Sequence, residues 1–241
     1  MLTKSQVKYI QSLGHKKFRD QEGVFIAEGP RIVEEWLRQK ELPVQVIYAV
    51  KEWCDRHPGV EVTQISEQEL SRISQMQQPK EVLAVIKKFQ ELSDLPATNN
   101  WILALDTIQD PGNMGTIIRI ADWFGIENIV CQPDSADIYN PKVVQAAMGS
   151  LARVRVLYTP LEEWLKKNSS LRVYAASLEG ISIHQMEESK KGVLIIGNEG
   201  KGISDAVMKH VNVKLTIPGK GGAESLNAAV ATGILLSHLT N

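Results

Sequence analysis

The feature that most constrains this chain is a strict alternation of two patterns over residues 101–241. Short apolar runs rich in β-branched residues (WILALD, NIVCQ, VRVLY, LRVYAAS, GVLIIGNE, VKLTIP) are interleaved with helical patterns: MGTIIRIADWFG, NPKVVQAAMGSL, LEEWLKK, ISDAVMKH and a last helix expected to begin near Ser225. The runs do not alternate apolar with polar, so each strand is buried on both faces. Strands of that kind, with a helix after nearly every one, build a mostly parallel sheet covered on both sides. The expected fold class is α/β. Asn140 before Pro141 marks one helix start, and Gly125 marks the end of another.

Residues 1–92 form a separate block, a small α/β unit. KSQVKYIQSL reads as a helix, GVFIAEG as a strand, and PRIVEEWLRQK as a helix with Pro30 in its first turn. VQVIYAV and EVLAVIKKF read as strands, with a helix between them that opens on the capping pair Ser66 and Glu69. The polar stretch ELSDLPATNN, with Pro96, separates the two blocks. The expected division is therefore 1–92, a linker at 93–100, and 101–241.

Several function classes are excluded by what is missing. No apolar run reaches the roughly 20 residues that a membrane span needs, and the first residues lack the apolar core of a secretory signal. Cys54 and Cys131 form no CxxC pair, which suits reduced thiols in a cytoplasmic protein. The five histidines are scattered, so no metal site is expected. In GNEGKGIS, Ile203 stands where a phosphate-binding loop requires lysine, and no GxGxxG follows the first strand. The net charge is −1, but residues 1–20 carry a local balance of +4 from Lys4, Lys8, Lys16, Lys17 and Arg19 against Asp20. Such a patch either faces water or contacts nucleic-acid phosphates.

Three strand-end loops remain, and ligands of open α/β sheets bind at such ends. In DTIQDPGNMGTIIR, Asn113 can cap a helix or bond a ligand, and Arg119 either pairs with Asp122 or serves a site. In LIIGNEGKGIS, Glu199 either pairs with Lys201, caps the next helix, or shapes a site. In IPGKGGAESLNAAVA, Ser225 can cap the last helix, while Asn227 is a poor residue for a helix interior.

Taken together, N-M-G-T-I-I-R (Asn113 to Arg119), I-I-G-N-E-G-K-G-I-S (Ile195 to Ser204) and I-P-x(6)-S-L-N-A-A-V-A (Ile217 to Ala231) resemble the SpoU, or TrmH-like, branch of the SPOUT RNA methyltransferases. The resemblance covers roughly residues 98–241. More loosely, F-I-A-E-G-P (Phe25 to Pro30) resembles the L30e-like substrate-binding domain that precedes the catalytic domain in many members.

The resemblance implies a deep trefoil knot in the C-terminal domain, S-adenosylmethionine as cofactor, and a homodimer with its active site at the interface. It implies that Arg119, Asn113, Ser225, Asn227 and Glu199 form the catalytic group. Ser177, Leu178, Gly197, Ile217 and Leu226 would hold the cofactor, and Lys16, Lys17 and Arg19 would contact RNA. The implied reaction is methylation of a ribose 2′-hydroxyl in structured RNA, with ribosomal RNA favoured over transfer RNA. A non-catalytic RNA-binding module is the alternative. Gln145 departs from the pattern, since many relatives carry arginine there.

Overall fold

A computed structural model describes residues 1–39, 44–95, 100–186 and 191–240. Pro96, in the expected linker, lies outside these. The described chain divides into two compact units: Met1–Gln90 with Asp137–Ala152, and Glu91–Ala136 with Arg153–Asn241.

The first unit contains α1 (Lys4–Ser12), α2 (Lys16–Glu22), β1 (Val24–Glu28), α3 (Pro30–Arg38), β2 (Val44–Ala49), α4 (Lys51–Arg56), β3 (Thr63–Gln64), α5 (Glu67–Ile73) and β4 (Val82–Lys87). Its sheet runs in the order β1-β4-β2-β3. The β1–β4 and β4–β2 pairs are antiparallel, and the β2–β3 pair is parallel. Side chains alternate across a strand. Val24 and Ile26 therefore join Val7, Ile10, Leu70 and Ile73 of α1 and α5 in one core, while Phe25 faces the other way, onto Trp36 and Tyr139 with ring centroids at 5.3 and 5.0 Å. The Ser66–Glu69 capping box forms as expected, and a second one joins Thr3 to Gln6 at α1.

The second unit contains β5 (Ile102–Asp106), α6 (Pro111–Trp123) and β6 (Asn128–Cys131). The chain then contributes α7 (Pro141–Ala147) to the first unit. It returns with β7 (Arg155–Tyr158), α8 (Leu161–Lys167), β8 (Val173–Ser182), β9 (Val193–Gly197), α9 (Asp205–Met208), β10 (Val213–Thr216) and α10 (Ala228–Leu239). The six strands run in the order β10-β8-β9-β5-β6-β7, and every pair is parallel. This bears out the alternation read from sequence. From β5 the chain proceeds to β6 and β7 on one side, and from β9 it steps over β8 to β10 on the other. Neighbours β5 and β9 thus flank the point where the winding reverses, which is where such sheets bind ligands.

Two helix starts differ from expectation. The last helix begins at Ala228, and its cap is Asn227, whose Oδ1 accepts from the Ala229 and Val230 backbone N–H groups. Ser225 lies two residues before that cap and makes no helix cap itself. The helix after β5 is capped by Asp110, with Pro111 in its first turn. A pattern reading keyed to apolar periodicity passes over these polar first-turn residues.

Candidate active site

The backbone at the end of β5 is held in an unusual conformation. Thr107 has φ +62°, a region that β-branched residues rarely enter. Its carbonyl accepts from Asn198 Nδ2 at 2.8 Å. The buried Asp106 carboxylate accepts from the Ser204 backbone N–H at 2.7 Å and from the Thr107 hydroxyl at 3.3 Å. Asn198 in turn accepts from the Gly200 and Lys201 backbone N–H groups, and it exchanges a pair of backbone bonds with Gly202. The turn after β9 is therefore tied to β5 from both ends. A side chain at Gly197 would come within 2.4 Å of the Gly202 backbone, so only glycine permits this approach.

That turn presents Glu199. Its Oε1 accepts from Asn113 Nδ2 at 2.8 Å, and Asn113 Oδ1 accepts from Asn227 Nδ2, also at 2.8 Å. Three loops distant in sequence thus meet in one hydrogen-bonded chain at the winding reversal. Each bond also sorts between roles that the sequence left open. Asp110 caps α6, which leaves the Asn113 side chain free to bridge. Glu199 bonds Asn113, not Lys201. Asn227 caps α10 through its oxygen and reaches Asn113 through its nitrogen.

Arg119 lies six residues along α6 from Asn113 and is exposed. Asp122, its expected partner, is instead gripped by Arg153 through bonds of 2.7 to 3.1 Å. Arg119 makes no hydrogen bond or ion pair with any described residue. Ser225, likewise exposed, makes none either.

The other candidates stand at neighbouring strand ends. Between β8 and β10 the register jumps, so that Lys214 pairs with Ala175 but Leu215 pairs with Ile181. Residues 176–180 loop out between, carrying Ser177 and Leu178. Leu178 is 73% exposed, and its carbonyl accepts from the Thr216 hydroxyl. Ile217 directly follows β10, and Leu226, also exposed, precedes α10. Large apolar side chains in water beside a Gly-lined turn form a surface suited to a flat, partly apolar ligand.

In the first unit, Lys16 and Lys17 are exposed on α2. Lys16 bonds Asp20 at 2.6 Å, and Lys88 bonds the same carboxylate. Burial pushes the Asp20 carboxyl up, but these two lysines outweigh it and hold the group below its ordinary range. Arg19 does not belong with them. It is 2% exposed, and its guanidinium donates to the Leu13 and Gly14 carbonyls at 3.0 and 2.9 Å and to Asp137 at 2.7 Å. Its donors are turned inward, so it is withdrawn from the expected RNA contacts.

Sequence reasoning missed Asp106, Thr107, Asp110 and Asn198. Asp110 carried a readable signal, a capping residue just before a proline. Asp106 carried a weaker one, a lone acid closing an apolar strand.

These features define an open parallel α/β protein whose polar site is assembled at the switch point, joined to a small mixed-sheet unit. Residues 100–237 match the SpoU rRNA methylase family, and residues 4–84 match the MRM3-like substrate-binding domain. The chain belongs to the SpoU rRNA methylase family. It is 33% identical, over 97% of its length and 95% of the relative's, to the 23S rRNA (guanosine(2553)-2'-O)-methyltransferase RlmP of Bacillus subtilis (strain 168). It resembles the AdoMet-bound rRNA methyltransferase of Sinorhizobium meliloti with a TM-score of 0.87 at 29% identity, over 99% of this chain and 95% of that one. The SpoU methyltransferase AviRb of Streptomyces viridochromogenes, in complex with AdoMet, matches with a TM-score of 0.85 at 25% identity, over 99% and 97% of the two chains.

Proposed function

We propose that this protein is an S-adenosylmethionine-dependent RNA methyltransferase acting on a ribose 2′-hydroxyl of 23S ribosomal RNA. The observation that carries this reading is the Glu199–Asn113–Asn227 chain at the switch point of a SpoU-family sheet. Ribosomal RNA is favoured because the B. subtilis and S. meliloti relatives, matched over nearly their whole length, carry rRNA in their names. No helix among the described residues is long and apolar enough to cross a membrane, which suits a cytoplasmic setting.

The residues at the strand ends fit the cofactor. Leu178 and Leu226 offer apolar faces for the adenine, and Gly197, Ser177 and Ile217 offer backbone that approaches closely. Once bound, S-adenosylmethionine supplies a methyl group on a sulfonium, already a good leaving group. The chain's own residues must then align the acceptor oxygen and stabilise its charge. Arg119, whose five donors meet no described residue, grips the phosphate beside the target ribose and stabilises negative charge developing on the 2′-oxygen. An arginine pKa above about 12 argues against its serving as a base. Asn113, Glu199 and Asn227 hold the loops in register, and Ser225 faces the acceptor.

Residues 101–241, apart from 137–152, which pack in the first unit, form the methyltransferase domain, with a trefoil knot through which 217–236 thread. Residues 1–92 form the RNA-selecting domain, reached through the 93–100 linker, with Lys16 and Lys17 contacting RNA.

The working form is a homodimer. Trp123 is 85% exposed at the end of α6, and Val230 and Ile234 are exposed on α10. Val230 and Ile234 line a cavity of about 510 Å3 together with Asn113, Ile120 and Asn227, and Trp123 follows Ile120 by three residues on α6. Covering this face with a second copy removes the exposed tryptophan from water and completes the site beside Asn113. Light scattering should give the dimer mass for the native protein and the monomer mass for Trp123→Asp, with methyl transfer lost in parallel. A native monomer with full activity refutes this arrangement.

The reaction itself is tested with labelled S-adenosylmethionine and RNA from cells lacking the gene. Alkali cuts RNA only where a 2′-hydroxyl is free. Label in alkali-stable dinucleotides from 23S rRNA is the expected result. Label in single nucleotides indicates a base methyltransferase, and label confined to tRNA overturns the choice of substrate. RNA binding with neither label nor cofactor affinity means a non-catalytic binding module.

A further inference from the structure

β1 is the edge strand of the first unit's sheet, and α7 packs against it. Between these two elements and the turn after α5 lies a cavity of about 290 Å3. This is just below the ~300–1,000 Å3 typical of small-molecule sites, enough for one flat heterocycle. Ile26, Met76, Pro141 and Val144 give it apolar walls. Glu28, the last residue of β1, lines the same cavity and is only 6% exposed. One carboxylate oxygen accepts from the Gln75 backbone N–H at 2.9 Å, and the other accepts from the Ser74 hydroxyl. An ionised carboxylate has about four acceptor sites, so two remain. Burial pushes this carboxyl up, against the pull of those two hydrogen bonds, so additional N–H donors would stabilise its charge. Gln145 also lines the cavity, and its amide makes no hydrogen bond with a described residue. Lys142, exposed, also lines the cavity and adds a positive charge at its rim.

We infer that this cavity takes the guanine base of an unstacked nucleotide in the RNA substrate, with guanine N1–H and N2–H donating to Glu28. The inference rests on the RNA-methyltransferase reading. Of the four bases, guanine alone presents two adjacent N–H donors on its Watson–Crick edge. Adenine and cytosine set an acceptor beside their amino group, and uracil flanks its one N–H with two carbonyls. Either arrangement turns a lone pair toward the carboxylate. Single-stranded RNA is read in this way, by splayed bases bonded along their edges and held between side chains.

The test uses full-length protein with 13C-labelled methionine methyl groups, so that Met76 reports on the cavity and Met114, on α6, reports on the active site. The probe is a hexauridylate carrying one guanosine at its third position, compared with strands carrying inosine, adenosine or uridine there. The guanosine strand should shift Met76 and leave Met114 in place. Inosine, which lacks the N2 amino group, should bind at least fivefold more weakly, and adenosine roughly five- to hundredfold more weakly. Glu28→Gln should erase the preference. Because that change touches a buried group, Ala146→Phe gives a second route: it fills the cavity without disturbing the Glu28 hydrogen bonds and should abolish the Met76 shift. Equal shifts from all four strands, or none, overturn the inference. If the protein then still methylates 23S rRNA, only the pocket falls and the functional reading stands.

Discussion

Arg119→Ala should lower kcat/KM for methyl transfer roughly a hundred- to thousandfold, the usual cost of removing one preorganised donor to developing negative charge. Thermal stability and cofactor affinity should not change. The physical ground is the isolation of this side chain: it is exposed and bonded to no described residue, and Arg153 has taken the carboxylate it could have paired with. A residue that supports nothing in the fold can be removed without disturbing the fold. Rates measured across pH then separate two roles. If Arg119 stabilises charge, the variant is slower at every pH and its profile keeps the native shape. If Arg119 is the base, one ionisation disappears from the profile. An active variant removes Arg119 from the mechanism altogether.

Arg19→Ala should act in the opposite manner, with a large loss of stability before any question of RNA arises. Removing one partner of a buried, hydrogen-bonded charge pair costs about 3–5 kcal/mol. Here it leaves Asp137 Oδ2 and two carbonyls without the donors that the guanidinium supplies, while Asp137 Oδ1 keeps the Tyr139 N–H. Urea unfolding measures the loss directly. Lys16→Gln with Lys17→Gln is the matched comparison. Both side chains face water, so stability should stay within about 0.5 kcal/mol of the native value, while RNA affinity weakens and its salt dependence flattens. If Arg19→Ala is as stable as the native protein, the buried bridge is energetically idle. If the double lysine change leaves RNA binding and its salt slope untouched, the basic helix is merely a solvated face.

Charge along the chain and charge at the surface are different quantities in α2. Lys16, Lys17 and Arg19 lie within four residues and carry the same formal charge, so a charge count treats them alike. A helix does not. The Arg19 guanidinium folds back onto the carbonyls of Leu13 and Gly14 and onto Asp137, while both lysines stay in water. Its partner Asp137 is more than a hundred residues away, and no local pattern announces it. The Arg119–Asp122 pairing failed for a related reason. The spacing permitted it, but Arg153 offered a bidentate grip from a distant segment, and a planar fork on a carboxylate outcompetes a single contact.

The strand and helix sequence of the second unit was legible because its cause is local. Runs such as VLIIG and ILALD are apolar on both sides, and such runs are stable only inside a covered parallel sheet. The three loops were legible as chemistry because Gly, Asn, Glu and Ser after a strand have few other uses. Their meeting was not legible. Asn113, Glu199 and Asn227 belong to three separate loops, and which of their alternative partners each would choose depends on β5 and β9 lying side by side.

By itself, then, the sequence determined the secondary-structure alternation, the α/β class and the residue types of the site, since these depend on side chains near one another along the chain. Only the tertiary structure decided that α7 leaves the sheet's unit to pack on β1, that Arg19 is buried, and that an Asn–Glu–Asn chain closes the switch point. Those outcomes turn on hydrogen bonds between residues 86 to 118 apart and on the packing of α7 against the equally distant β1, and nothing in a local stretch records which distant partner it will meet.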